Sequence, residues 1–260
     1  MSGKILRLKR IVSPADGRAV IFPMDHGVTC GPMPGLERID KTIDAGVRAG
    51  ADAFILHKGM LRYLEPVAAP LPGIIMHLSA STCMGPSVFY KVPVGGVEEA
   101  VRRGADGVSV HINLGARREP DMLKDLGEIA RSCSEWQMPL LVMAYSVREG
   151  KQSTRGPDVA HAARLAAELG ADVIKIPFPE DYDVLAAITS SVPVPVVIAG
   201  GSPPGAIINL LKRIEKSLQA GACGVAVGRC VFQHSNPGAV LAAIRDIVHN
   251  GVPAAEFSDL

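Results

Sequence analysis

No stretch of the 260-residue sequence approaches the roughly 18 consecutive apolar residues that a membrane span requires. The segment Met1 to Arg10 is polar and basic, without the apolar run of about 7 or more residues that marks a secretory leader. A cytoplasmic location with no membrane partner is expected. Charge of one sign is also missing: 27 Lys and Arg stand against 26 Asp and Glu, and both kinds are spread along the whole length. That leaves no basic face for nucleic acid and no acidic tail, so a small-molecule partner is expected rather than a polymer. Cysteine is sparse and unpaired in pattern. Cys30, Cys83, Cys133, Cys223 and Cys230 are odd in number, lie far apart and include no Cys-x-x-Cys, which argues against a disulfide framework and a zinc site. They read as reduced, mostly small apolar fillers. Nor is there a Gly-x-Gly-x-x-Gly after the first apolar run, where Asp25-His26-Gly27-Val28 stands instead, and this counts against an open doubly wound dinucleotide-binding sheet.

What the sequence does contain is an alternation of two kinds of apolar segment. Short runs at 19–24, 53–57, 73–78, 107–111, 139–145, 172–176, 194–199 and 224–227 are continuously hydrophobic, as suits parallel strands buried on both faces. Helical patterns lie between them, clearest at 39–49, 97–103, 123–136, 158–169, 207–220 and 240–248, with only a short turn or helix after the second strand. Trp136, ending one of these helices, reads as a packing residue. Gly50-Ala51-Asp52, Gly104-Ala105-Asp106, Gly170-Ala171-Asp172 and Gly221-Ala222-Cys223 each close a helix and open a strand. With a length close to the usual size of about 250 residues, the pattern predicts an α/β fold: one (β/α)8 TIM barrel spanning residues 1–260.

In such a barrel the chemistry sits where the strands end. Reading the polar residue after each apolar run gives Asp25-His26, His57-Lys58, His77, His111, Tyr145, Lys175, Gly200-Gly201-Ser202 and Gly228-Arg229. Lys175, in the run Val173-Ile174-Lys175-Ile176, puts an amine at the lip of a dry barrel. Burial there, with a neighbouring cation such as Lys58, would lower its pKa and free a nucleophile able to form a Schiff base with a ketone. The other reading is a lysine reaching out to solvent. Tyr145, on the adjoining strand, is placed to exchange a proton with a substrate hydroxyl, or to pack at the rim. Asp25 faces Lys175 across the mouth and either orients a reaction intermediate or caps a loop. His26 is a substrate-contacting or a structural histidine. Gly200, Gly201 and Ser202 with Gly228 and Arg229 occupy the positions after strands 7 and 8 where this fold binds phosphate. His57, His77 and His111 raise the possibility of a metal cluster, but no carboxylate accompanies them as a further ligand, and neither metal nor cofactor is expected.

The segments Pro23-Met24-Asp25-His26-Gly27, Leu56-His57-Lys58-Gly59, Glu168-Leu169-Gly170-Ala171-Asp172 to Lys175, Ala199-Gly200-Gly201 and Ala226-Val227-Gly228-Arg229 with Phe232-Gln233-His234 together resemble the archaeal-type class I aldolase family. That family includes fructose-bisphosphate aldolases, 2-amino-3,7-dideoxy-D-threo-hept-6-ulosonate synthases and a thiolase of autoinducer degradation. The resemblance implies a Schiff base on Lys175, proton handling by Tyr145 and assistance by Asp25. Tyr145 points away from the thiolase branch, and the histidine-ended strands look more like the heptulosonate synthases. Condensation of a phosphorylated ketose fragment with aspartate semialdehyde, on a route to aromatic compounds, is therefore the expected reaction, with Lys58 suited to an acidic substrate. Alternatives are cleavage of fructose bisphosphate, condensation of dihydroxyacetone phosphate with aspartate semialdehyde, or a phosphate-binding barrel without lyase activity. The resemblance also implies a homo-oligomer, with a ring of ten as the form it suggests. Two segments depart from the family pattern: Ser146-Val147-Arg148-Glu149-Gly150 where Pro-Arg-Gly is usual, and Ser202-Pro203-Pro204 where a Pro-Lys stretch is usual.

Overall fold

A computed structural model describes residues 2–68, 70–179, 181–201 and 205–260. Eight strands form the barrel: β1 (Ala19–Pro23), β2 (Ala53–Leu56), β3 (Gly73–His77), β4 (Gly107–Leu114), β5 (Leu140–Arg148), β6 (Val173–Ile176), β7 (Val196–Ala199) and β8 (Gly224–Ala226). Each pairs in parallel with its sequence neighbour, β8 pairs with β1 and β4 with β5, so the sheet closes on itself. Helices Ile39–Arg48, Val97–Arg102, Glu119–Glu135, Gly156–Glu168, Tyr182–Ser191, Ile207–Gln219 and Pro237–Arg245 surround it, and the connection after β2 is the 3-10 helix Lys58–Leu64. Among the described residues no helix is long and apolar enough to cross a membrane.

The strands are apolar on both faces because each face has its own partner. Val20, Phe22, Phe54, Leu56 and Met76 point outward and pack under the helices, in one cluster with Leu211, Leu241 and Ile244. Ile21, Ile55, Ile75, Leu141, Val173 and Val197 alternate with them and fill the barrel interior. Ile11, just past the N-terminal helix Gly3–Leu8, joins this inner cluster and closes the barrel floor.

The recurring Gly-Ala-Asp units do more than end helices. Gly50, Gly104, Gly170 and Gly221 all adopt positive φ, between 74° and 98°, which stops each helix without strain. The aspartates then reach sideways: Asp52, Asp106 and Asp172 accept the backbone N–H of Val20, Ile74 and Leu140, each 32 positions earlier, at 2.6, 2.8 and 2.9 Å. Each also holds a basic side chain at the floor. Asp106 pairs with Arg10 at 2.7 Å, Asp172 with Lys4 at 2.8 Å, and Asp52 with His249 at 2.8 Å. Cys223 replaces the aspartate in the fourth unit, and none of these bonds is made there.

Four details differ from expectation. β5 does not stop at Tyr145 but continues to Arg148 and turns back through Glu149 and Gly150, both at positive φ, to pair antiparallel with Lys151–Ser153. Two further short strands, Ser79–Ala80 and Val92–Pro93, pair antiparallel after β3. Trp136 is 45% exposed, its indole N–H donating to Glu98 Oε1 at 3.1 Å, so it is not a core residue. The cysteines are all free, but only Cys133 and Cys230 are buried, while Cys30 and Cys83 are exposed.

His249 links two carboxylates at the floor, with Nδ1 2.7 Å from Asp16 Oδ2 and Nε2 2.8 Å from Asp52 Oδ2. Its bond to Asp52 raises its pKa above the ordinary 6.5, outweighing burial. A folded-state pKa raised above the unfolded one stabilises the fold fully below pH 6.5, and that contribution fades as pH climbs through the raised value. Thermal melts across about pH 6 to 9 are expected to show a falling Tm whose slope is reduced in His249→Leu. Equal slopes in parent and variant would show that this histidine is uncoupled from folding.

Candidate active site

The two-residue period of the strands decides which side chains enter the mouth. Directly above the inner apolar layer, His57 follows Ile55, His77 follows Ile75, Tyr145 follows Met143 and Lys175 follows Val173, each two positions on and therefore on the inward face. Met143 sits in register with Lys175 across β5 and β6, which brings Tyr145 up beside it. Asp25, just beyond β1, completes the ring. Two adjoining cavities of about 300 and 350 Å³ open over this ring and share His26, Tyr145, Gln152, Lys175 and Arg229 as lining.

Lys175 is 7% exposed and makes no salt bridge with any carboxylate of the described residues. Burial pushes its pKa below the ordinary 10.5; Asp25 works against that and Arg229 with it. The cation that assists is thus Arg229, not Lys58. Asp25 remains ionised: burial disfavours its charge, but His26, His77 and Lys175 outweigh that. Burial holds His77 at about 3, so its contact of 3.9 Å with Asp25 is not an ion pair at neutral pH. His77 Nδ1 bonds instead to Ser109 Oγ at 2.8 Å. Burial likewise lowers the pKa of His57, His26 and His111 and raises that of Tyr145, which stays a phenol. The ring of Tyr145 lies 4.7 Å from that of His111. His26 starts the short helix Gly27–Cys30, its ring edge-on to Phe232 at 5.4 Å and its Nδ1 3.4 Å from Asp25 Oδ1.

One end of this space is lined by Gly200, Gly201, Gly228 and Arg229, as expected, and by Arg213, which reading the strand ends does not single out. A side chain at Gly228 would strike the backbone carbonyl of Pro23 and the His26 ring at 2.7 Å, so glycine is required there, while one at Gly200 would press on the Val227 side chain at 3.0 Å and oblige it to give way. Arg213 donates to Gly200 O at 3.0 Å and Arg229 to Gly201 O at 3.4 Å. Arg213 lies within the helix Ile207–Gln219, some distance along the chain from any strand end, so no strand-end signal marks it. Ser202, expected here too, lies outside the described residues.

Lys58 is the misplaced expectation. It falls out of phase with His57, starts the 3-10 helix, is 43% exposed and pairs with Glu99 at 3.1 Å, outside the mouth. A different lysine takes a place in the cavity. Lys91, just ahead of Val92–Pro93 in the strand pair after β3, lines it with His57, His77, His111 and Asn113. Gln152 enters from the hairpin that extends β5, anchored where Asp158 accepts from Arg148 at 2.6 Å and Ser153 at 2.7 Å. Among the described residues no three His, Cys, Asp or Glu are grouped so as to hold a metal ion.

A buried amine beside a carboxylate and a phenol, next to an arginine-lined glycine rim, suits covalent carbonyl chemistry on an anionic substrate. Comparison with known proteins agrees. The chain is 41% identical over 249 residues to the 2-amino-3,7-dideoxy-D-threo-hept-6-ulosonate synthase of Halobacterium salinarum, covering 96% of this chain and 92% of that protein. It is 39% identical over 246 residues to the 2-amino-4,5-dihydroxy-6-oxo-7-(phosphonooxy)heptanoate synthase of Streptomyces griseus, covering 94% and 90%. A solved archaeal fructose-1,6-bisphosphate aldolase, whose catalytic Lys is covalently bound to the carbinolamine intermediate of its substrate, superposes with a TM-score of 0.84 at 30% identity, covering 94% of this chain and 99% of that one. With residues 19–234 matching the DeoC/LacD aldolases, the chain belongs to the DeoC/LacD aldolase family and is a lyase of the class I, Schiff-base type.

Proposed function

We propose that Lys175 is the Schiff-base residue and that the chain condenses a fragment of a phosphorylated ketose with aspartate semialdehyde, in the manner of the heptulosonate synthases. The observation that carries this reading is the position of Lys175 at the junction of two cavities, buried, without a salt-bridge partner and with its pKa depressed. In its neutral form the amine adds to the donor ketone, and loss of water leaves an iminium. That cation draws electrons from the adjacent carbon, so a C–C bond there breaks in the donor and an enamine remains. The enamine carbon attacks the aldehyde, the new alkoxide takes the Tyr145 proton, and water returns the amine. The proton released in the cleavage step is taken by Asp25, the ionised carboxylate of the ring, and passes back to the tyrosinate left when Tyr145 protonates the new alkoxide. Asp25, ionised beside Lys175, favours the cationic iminium over the neutral carbinolamine. The donor's phosphate rests against Gly200, Gly201 and Gly228 between Arg213 and Arg229.

A second donor, dihydroxyacetone phosphate, is favoured by the S. griseus relative, whose product name retains a phosphonooxy group on the seventh carbon. There the enamine forms by loss of a proton rather than by cleavage. Homo-oligomer formation, as a ring of ten, is part of the proposal; sedimentation is expected to give a particle about ten times the 27.3 kDa chain.

Borohydride reduction in the presence of each phosphorylated ketose, followed by peptide mass spectrometry, is expected to place an adduct on Lys175, whose added mass identifies the donor. Lys175→Met is expected to show neither adduct nor turnover. No adduct with any donor, or one mapped to Lys91, overturns the assignment. Tyr145→Phe should still form the adduct while kcat drops about 10²- to 10⁴-fold; full activity in that variant would remove the tyrosine from the proton path.

A further inference from the structure

The Schiff-base reading accounts for one end of the active-site space but leaves the other end without a role. Lys91 lines the cavity that runs away from the glycine rim, among His57, His77 and His111. It is 8% exposed, and burial depresses its pKa. Its Nζ donates to Ser81 Oγ at 2.6 Å, and the Ser81 hydroxyl proton is itself committed to Val88 O at 2.7 Å. No carboxylate of the described residues lies within ion-pair distance; Asp25 and Cys30 favour its charge only through space. The three imidazoles beside it are held neutral by burial and supply no negative charge. A buried ammonium with spare N–H donors and no counterion is costly unless a ligand provides the anion.

We propose that Lys91 anchors the carboxylate of the acceptor aldehyde, and so sets the specificity for an acidic acceptor that Lys58 was expected to provide. This rests on Lys175 capturing the donor, because the two cavities meet at that residue: a donor held at the glycine rim presents its enamine to an aldehyde entering from the Lys91 side. The two ends also differ in charge. The glycine rim offers two guanidinium groups, suited to a dianionic phosphate, whereas the Lys91 end offers a single ammonium among neutral rings, suited to a monoanionic carboxylate.

The test uses the full-length enzyme with Lys91→Met, and with Lys91→Gln, which keeps a donor, should the first variant not fold. Two measurements are made on each: borohydride trapping of the donor, and steady-state kinetics with aspartate semialdehyde and with butyraldehyde, which has no carboxylate. The donor adduct on Lys175 is expected to persist, which also reports a folded barrel. KM for aspartate semialdehyde should rise about ten- to a hundredfold, while kcat/KM for butyraldehyde stays within about twofold of the parent. Equal losses with both aldehydes, or unchanged KM for aspartate semialdehyde, overturn the assignment of Lys91 while leaving the Schiff base standing. Absence of the adduct in the parent enzyme overturns the Schiff-base reading itself.

Discussion

Everything at the mouth of this barrel depends on one energetic fact: an amine on the inward face of a strand cannot easily keep its proton. Water would stabilise the ammonium of Lys175, but Val173 lies beneath it and neighbouring strands enclose it on both sides. Asp25 keeps the cation from being expelled altogether, and the guanidinium of Arg229 keeps it from being too comfortable. The result is a nitrogen that gives up its proton more readily than an ordinary lysine, the direction a carbonyl-capturing lysine needs. The histidines around it are driven neutral by the same burial, so they shape and polarise the space without competing for the role of cation.

Such a nitrogen is useful only if two reactants can reach it from different sides. The cavities over the ring meet at Lys175, Tyr145 and Gln152, and their outer ends carry unlike positive groups. This polarity along the active-site floor follows from topology. The arginines come from the connections after β7 and β8, and Lys91 comes from the strand pair after β3, across the barrel.

The barrel was legible because its strands are hydrophobic on both faces and its helices end in glycine, and all eight strand positions follow from those two signals. The ring of Asp25, Tyr145 and Lys175 was legible for a related reason: a polar residue closing a buried run carries a desolvation cost that apolar packing alone would select against. Lys58 lies outside the mouth because successive residues of a strand alternate between its two faces. His57 is in phase with the interior, so its successor could only face outward. Lys91, Gln152 and Arg213 were not visible because none ends a barrel strand. Two ride on excursions, the strand pair after β3 and the hairpin that lengthens β5, whose antiparallel pairing no local motif announced. Arg213 sits on a helix whose amphipathic pattern accounts for a charged residue without invoking a ligand.

The aspartates at the barrel floor tie strand to strand with a constant offset of 32 residues, at the end remote from Lys175. Frame and chemistry are thereby held by different residues. Excursions at the rim, such as the lengthened hairpin and the strand pair after β3, are free to change in length and composition without disturbing the bonds that close the cylinder. A scaffold divided in this way can be redirected toward new acceptors by replacing only the pieces that overhang its opening.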